Sequence, residues 1–304
     1  MKLSPLHREF LDDYDRDRAS FKASVTRTDQ PALIHLREVS QLAKDAFVSL
    51  LCQKETFHTI SAFAIYDVES IHLLQRASTE ALCFYYGVGT AILRSALEAL
   101  VRGAFWEGMA HKAFRDRAEG VRRVGGVRID GELRRLHRWL ADVFARAPEA
   151  EAGFEVMSAA IFDRTSALFS EPELTRVLPP FRAIVEQVAE WGLFAPIPEP
   201  ASAIYGGVYR DLSSAAHLIP DKTLLGRRFV VGKPAFPTIE FSADDFESFM
   251  RLLEIVADVG MVLSLNLTSK ILPEKEFVKR RFDTLGVKMR QILPRGYCGD
   301  WKFR

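Results

Sequence analysis

Between Leu82 and Trp106 only Arg94, Glu98 and Arg102 carry charge, and they recur at every fourth position. An α-helix turns once in 3.6 residues, so this spacing gathers all three onto one stripe of a helix whose other faces are apolar. Such a helix has to be enclosed by other helices or by lipid. The uncharged part before Arg94 is too short to span a bilayer. The expectation is a buried helix in a water-soluble bundle, with three ionised side chains at least partly withdrawn from water. Charges in that position need partners, and Arg94 and Glu98 can serve each other. At this level the trio is either a structural ion pair that orients the helix or part of a site.

The rest of the chain follows the same helical period. Apolar spacing predicts helices over Pro5–Val25, Pro31–Leu51, Thr59–Ala77 and Ser78–Glu119, the last bent at Gly87 and Gly89. Gly125 and Gly126 break the pattern. Shorter helices are expected over Glu132–Ala147, Phe154–Phe169 and Phe181–Trp191, and the proline-rich run Ala195–Pro200 reads as a linker. Helices follow over Ala201–Leu218 and Asp244–Leu272, the second capped by Ser242 and closed by Pro273. Only Arg227–Val231 and Thr238–Phe241 look like strands, and they suggest one small β-hairpin. The expected class is all-α, a helical bundle with an inserted helical section and that hairpin.

Composition narrows function mainly by exclusion. With 304 residues, 48% apolar and 27% charged, the chain has room for a large core and is neither disordered nor fibrous. A formal net charge of +1 gives no global field for nucleic acid or membrane. Three widely spaced cysteines, Cys52, Cys83 and Cys298, argue against a disulfide framework or a zinc knuckle. With no apolar stretch at the start, a cytoplasmic, membrane-free protein is the expectation. Arginine outnumbers lysine 29 to 12 and Asn266 is the sole asparagine, a bias that fits either a thermophile or a GC-rich genome.

Several motifs fail on inspection. Gly226 to Lys233 has five residues between its glycines, and Pro234 stands where a phosphate loop needs Ser or Thr. Gly87-Val88-Gly89 lacks the third glycine of a dinucleotide fingerprint. Glu69 and His72 have the spacing of a di-iron ligand pair, but no second such pair exists. No metal or organic cofactor is called for.

A second helix carries the other signal. In Tyr209-Arg-Asp-Leu-Ser-Ser-Ala-Ala-His217, Arg210 and His217 lie two turns apart and nearly in line, with Ser213 and Ser214 between them. Leu212 points away, toward a core. The bland reading is a capped helix whose His217 is satisfied internally; the sharper one is a polar stripe ending in a titratable imidazole.

Arg210-Asp211 followed by His217 resembles the Arg-polar-x(3–5)-His signature of the HEPN superfamily of helical bundles. The order of Arg94-Ser-Ala-Leu-Glu98 and then Tyr209-x-x-Leu-Ser-x-x-x-His217 is similar to a HEPN-like family of largely uncharacterised prokaryotic proteins. The resemblance covers roughly residues 32–272. It implies a charged N-terminal arm over 1–31, a HEPN-like core over 32–119 and 201–272, a helical insertion over 120–200 and a basic tail over 273–304. It also implies a metal-independent ribonuclease of toxin or phage-defence type, working as a homodimer on RNA and, in toxin systems, with an antitoxin partner. Carried over, Arg210 binds the scissile phosphate, His217 is general base or acid, and Asp211 positions the arginine. Arg94, Glu98, Ser213 and Tyr209 would bind or support. Other proteins of this kind are not known to cleave anything, so a non-catalytic ligand- or protein-binding module is the alternative.

Two basic patches bear on RNA. Residues 112–138 hold nine basic side chains against four acids, and residues 279–304 hold eight against two. Tyr297, Trp301 and Phe303 are interleaved in the second, a pattern suited to stacking on bases. The bland reading is a solvated helix face and an ordinary basic tail, since charge runs usually do nothing specific.

Overall fold

The computed structural model describes residues 5–51, 61–110, 114, 117–118, 179–216, 241–271 and 275–302, and the regular elements among them are all helical. In chain order they are α1 (Pro5–Arg27), α2 (Gln30–Leu51), α3 (Ser61–Leu82), α4 (Tyr86–Ala110) and α5 (Phe181–Glu190). A π-helical segment (Ser202–Tyr209) continues into α6 (Arg210–Ala216), followed by α7 (Ala243–Ile271), α8 (Lys275–Ile292) and a 3-10 turn (Tyr297–Asp300). The expected hairpin, apart from Phe241, and the helices expected over 132–147 and 154–169 lie outside the described residues. Among the described residues no helix is long and apolar enough to cross a membrane.

Local chemistry sets the helix ends. Asp29 Oδ1 accepts the Ala32 N–H at 3.2 Å, and Pro31 occupies the first turn of α2, where a missing N–H costs nothing. Ser242 Oγ accepts the Asp245 N–H at 3.3 Å, as expected of the residue ahead of α7. Gly192, at φ +70°, turns the chain after α5, and Lys270 Nζ donates to the freed carbonyls of Trp191 (2.9 Å) and Gly192 (3.2 Å).

The α3–α4 turn is not where the sequence suggests. The expected boundary at Ala77–Ser78 is uninterrupted helix, and the expected bend at Gly87 and Gly89 falls inside the first turn of α4. The chain reverses at Cys83–Tyr85, where Phe84 takes φ 71°. A left-handed backbone costs a non-glycine residue about 1–3 kcal/mol. Burial offsets it: Phe84 is buried, with its ring edge-on to Phe241 at 6.2 Å. Gly89 has another use, since a Cβ there would sit 2.9 Å from the Ala77 carbonyl oxygen of α3.

The core is built on α4 and α7. α4 packs along α3 and across α7; α2 lies against α7 and α3, and α8 against α2. Residues 256–265 of α7 are buried on every face. Two glycines let neighbours reach the α4 backbone. A Cβ on Gly103 would meet Tyr66 Cβ at 2.6 Å, and one on Gly108 would meet the Trp191 ring at 2.4 Å. Trp191 stacks on Phe105 at 5.8 Å and touches Phe114 at 5.6 Å.

Segments read as peripheral share this core. The run after Trp191 is a packed turn instead of a free linker: Leu193, Phe194 and Ile197 are buried, and Asn266 Nδ2 donates to the carbonyls of Leu193 (2.9 Å) and Ala195 (2.7 Å). The C-terminal segment is tied down at three points. Lys288 Nζ meets Asp45 Oδ2 at 2.9 Å, the Asp258 carboxylate accepts the Tyr297 and Cys298 N–H groups at 2.8 Å each, and Trp301 Nε1 donates to Asn266 Oδ1 at 3.1 Å. The sole asparagine is thus a junction between two loops. From Leu11 on, α1 is mostly exposed, and it is held by the Tyr85 hydroxyl donating to Asp17 Oδ1 at 2.9 Å.

The glycine contacts give a paired prediction. Gly108→Ala drives a methyl into the Trp191 ring and should destabilise the fold by about 1–3 kcal/mol. Gly87→Ala meets nothing within 4 Å and should leave stability unchanged or raise it by up to about 1 kcal/mol. Urea unfolding of both variants beside the parent checks the pair.

Candidate functional site

The α4 stripe faces the π-helical segment. Arg94 Nε donates to Glu98 Oε1 at 3.1 Å, and Arg102 Nη2 to Glu98 Oε2 at 3.4 Å. From more than a hundred residues away, Tyr209 inserts its hydroxyl between the first two. It accepts from Arg94 Nη2 at 2.7 Å and donates to Glu98 Oε1 at 3.1 Å. The three α4 side chains are only 19–23% exposed, so these charge-assisted bonds act in a partly dehydrated setting. Two guanidiniums share one carboxylate, and Arg102 Nη1 is buried with no hydrogen-bond partner among the described residues.

Aromatic rings hold the tyrosine in place. The π-helical turn stacks Tyr205 on Tyr209 with centroids 5.3 Å apart and planes within 17°. Phe181, from the start of α5, closes on Tyr209 at 4.5 Å. The Arg94 guanidinium lies 4.9 Å from the Tyr209 ring centroid and that of Arg102 lies 5.8 Å from Phe181. Burial, above all, raises the Tyr209 pKa above that of a free phenol, with Glu98 adding to the shift and Arg94 opposing it. At neutral pH the hydroxyl therefore keeps the proton it donates to Glu98.

Beyond this clamp, the faces of α6 separate. Leu212 is fully buried, on the core side the sequence assigns to it. Ser213, one turn after Tyr209, has its Oγ buried without a partner among the described residues. Arg210 points outward, 77% exposed, 4.0 Å from the carboxylate of its neighbour Asp211. Asp211 and Ser214 line a cleft of about 240 Å³ with Tyr86, Thr90, Asp245 and Arg251. Of the residues singled out from sequence, the fold joins Arg94, Glu98 and Tyr209, leaves Ser213 beside them, and directs Arg210 and Asp211 elsewhere on the same helix. His217 lies outside the described residues.

Sequence reasoning missed the second arginine's share in the clamp, the π-helical turn and the aromatic pair Phe181 and Tyr205. Tyr205, four residues before Tyr209, was the one usable hint. Nothing local marks Phe181. Most of the basic patch over 112–138 lies outside the described residues. In the C-terminal patch, Trp301 is engaged with Asn266, whereas Tyr297 is 41% exposed. Among the described residues no group of three or more His, Cys, Asp or Glu side chains is placed to hold a metal ion. No family model, no curated protein and no solved structure matches this chain.

Tyr209→Phe removes one donor and one acceptor from the clamp and should cost about 1–3 kcal/mol of stability. Glu98→Ala should cost more, because it leaves two partly buried guanidiniums facing each other. A double-mutant cycle of Arg94→Ala with Tyr209→Phe should return a coupling energy of about 0.5–3 kcal/mol; additive losses would show that the two side chains do not act together.

Proposed function

We propose that this chain is a HEPN-like helical protein acting as a metal-independent endoribonuclease, with Arg210 as the phosphate-binding cation and His217 as the proton-transferring imidazole. One observation carries the reading. Tyr209, the residue before Arg210, is bolted between Arg94 and Glu98, so the two stretches on which the resemblance rests are in contact. In this reading Arg94, Glu98 and Tyr209 are positioning residues. They fix the start of α6 and leave the exposed Arg210 guanidinium available to a phosphate.

The chemistry follows from the groups. A base removes the ribose 2′-hydroxyl proton, the oxygen attacks the adjacent phosphorus, and the bond to the 5′-oxygen breaks as that oxygen takes up a proton. The products are a 2′,3′-cyclic phosphate and a 5′-hydroxyl. An imidazole suits both proton transfers near neutral pH, and a guanidinium offsets the charge gathering on phosphorus. Action as a homodimer, on RNA, in a toxin or phage-defence setting with an antitoxin partner, belongs to the same proposal.

A second reading is favoured by the cleft beside α6. Its walls carry Asp211 and Asp245 against the single guanidinium of Arg251, a balance better suited to a small polar ligand than to a polyanion. In that case the protein is a non-catalytic binding module.

Incubation of the purified protein with RNA in EDTA separates the two. Cleavage leaving 5′-hydroxyl ends should fall about 100-fold or more in His217→Ala and in Arg210→Ala, with both variants folded by circular dichroism. Equal background cleavage by the parent and His217→Ala would reject the ribonuclease reading and leave the binding module.

A further inference from the structure

A second polar feature lies inside the bundle, away from the clamp. Where α2, α3, α4 and α7 meet, Asp67 is 5% exposed and Ser70, one turn on, is 1% exposed. They line a small internal pocket with Ser264 of α7, against Leu74, Leu100 and Met261. Ser70 Oγ has no hydrogen-bond partner among the described residues. Ser264 Oγ donates to the Gly260 carbonyl at 2.9 Å and keeps its lone pairs.

We propose that this pocket is an internal hydration site, in which one water molecule is shared by the Asp67 carboxyl, Ser70 Oγ and Ser264 Oγ at the crossing of the four helices. The inference is independent of any ribonuclease activity. Size sets the occupant: the volume open to a water-sized guest is about 10 Å³, the room one molecule needs. Chemistry agrees, because a buried water is retained by two to four polar partners and three converge here. A dry pocket would leave the Ser70 hydroxyl stripped of solvent with nothing in exchange, the costly arrangement for a buried polar group. A metal ion is a poor fit, since one carboxylate and two hydroxyls fall short of the six or more oxygens a hard cation collects.

The site has a protonic consequence. Burial alone pushes the Asp67 carboxyl up to about 7, with no charged neighbour among the causes. The surrounding charges are engaged or turned outward. On α3, Glu69 is exposed; on α2, Lys44 is exposed. On α4, Glu98 and Arg102 face Tyr209, and Glu107 accepts the Phe63 N–H. On α7, Asp258 accepts the amides of the C-terminal turn. Tyr66, beside Asp67, is a phenol whose own pKa is raised by burial. Asp67 is therefore held as the neutral acid at mildly acidic pH, able to donate to the water as well as accept from it. In the unfolded chain the carboxyl ionises near its ordinary value of 3.8. The folded chain binds the extra proton between there and about 7, so stability falls as pH rises through that window and levels off above it.

The test is a high-resolution crystal structure of the full chain together with unfolding midpoints from pH 4 to 8. The expected result is one water peak within hydrogen-bonding distance of Asp67, Ser70 and Ser264, displaced or lost in Ser70→Ala. Asp67→Asn should retain the water and flatten the fall in midpoint between pH 4 and 7. A dry pocket in the parent, or a metal ion there, would overturn the proposal. So would an Asp67→Asn profile parallel to that of the parent. Should Asp67→Asn fail to fold, the side-chain carboxyl carbon of Asp67 in the parent, followed by NMR, should titrate near neutrality; titration near 4 would overturn the proposal equally.

Discussion

One carboxylate holds the two motif-bearing helices together. Glu98 receives Arg94 and Arg102 from its own helix and the Tyr209 hydroxyl from the π-helical segment, and the tyrosine contact joins α4 to a turn more than a hundred residues further along the chain. No single member would be comfortable there. A guanidinium this poorly exposed needs an acceptor, and the carboxylate needs donors on both oxygens. Tyr209 satisfies both demands because a hydroxyl accepts and donates at once. The direction of α6 depends on this bond, and with it the side of the bundle on which Arg210 emerges.

The clamp was half visible in the sequence. Four-residue spacing fixed the common face of Arg94, Glu98 and Arg102, because helical geometry is local. The partner is not legible there: nothing in the spacing of Tyr209 says that its side chain reaches α4. The π-helical turn that aims it is a small change in backbone winding with no compositional signature beyond Gly206 and Gly207, and the ring of Phe181 arrives by tertiary packing alone. The α3–α4 turn failed for a related reason. Gly87 and Gly89 look like breakers, yet the left-handed residue is Phe84, which tolerates its strain through contacts with Phe241 that local propensity cannot register.

The misjudged linker and tail share a cause of their own. Proline-rich and basic segments read as exposed because such residues usually are. Here each is captured by a polar side chain on α7: Asn266 binds the carbonyls after Trp191, and Asp258 binds the amides after Gly296. Each contact matches a side chain to backbone groups that would otherwise be unsatisfied, which explains why α7 tolerates polar residues along a stretch buried on all sides. The same rule isolates Asp67. It lines a pocket with hydroxyls instead of amides, and among the described residues no charge compensates it, so the acid keeps its proton at mildly acidic pH.

Seen from α6, these constraints sort the molecule into fixed and available surfaces. Tyr209 reaches the α4 clamp, Ser213 has its Oγ buried and Leu212 is fully buried, so three of the five residues from 209 to 213 turn inward. The other two, Arg210 and Asp211, are the most exposed ionised pair on this helix and lie directly after the clamp. A site that needs an accurately held cation at an open surface benefits from that order: rigid anchor first, exposed guanidinium next. A purely structural helix has no need of it, since an exposed ion pair 4.0 Å long contributes little to stability. The anchor is explained by packing; the outward arginine takes no part in that packing and stays at the surface beside Asp211.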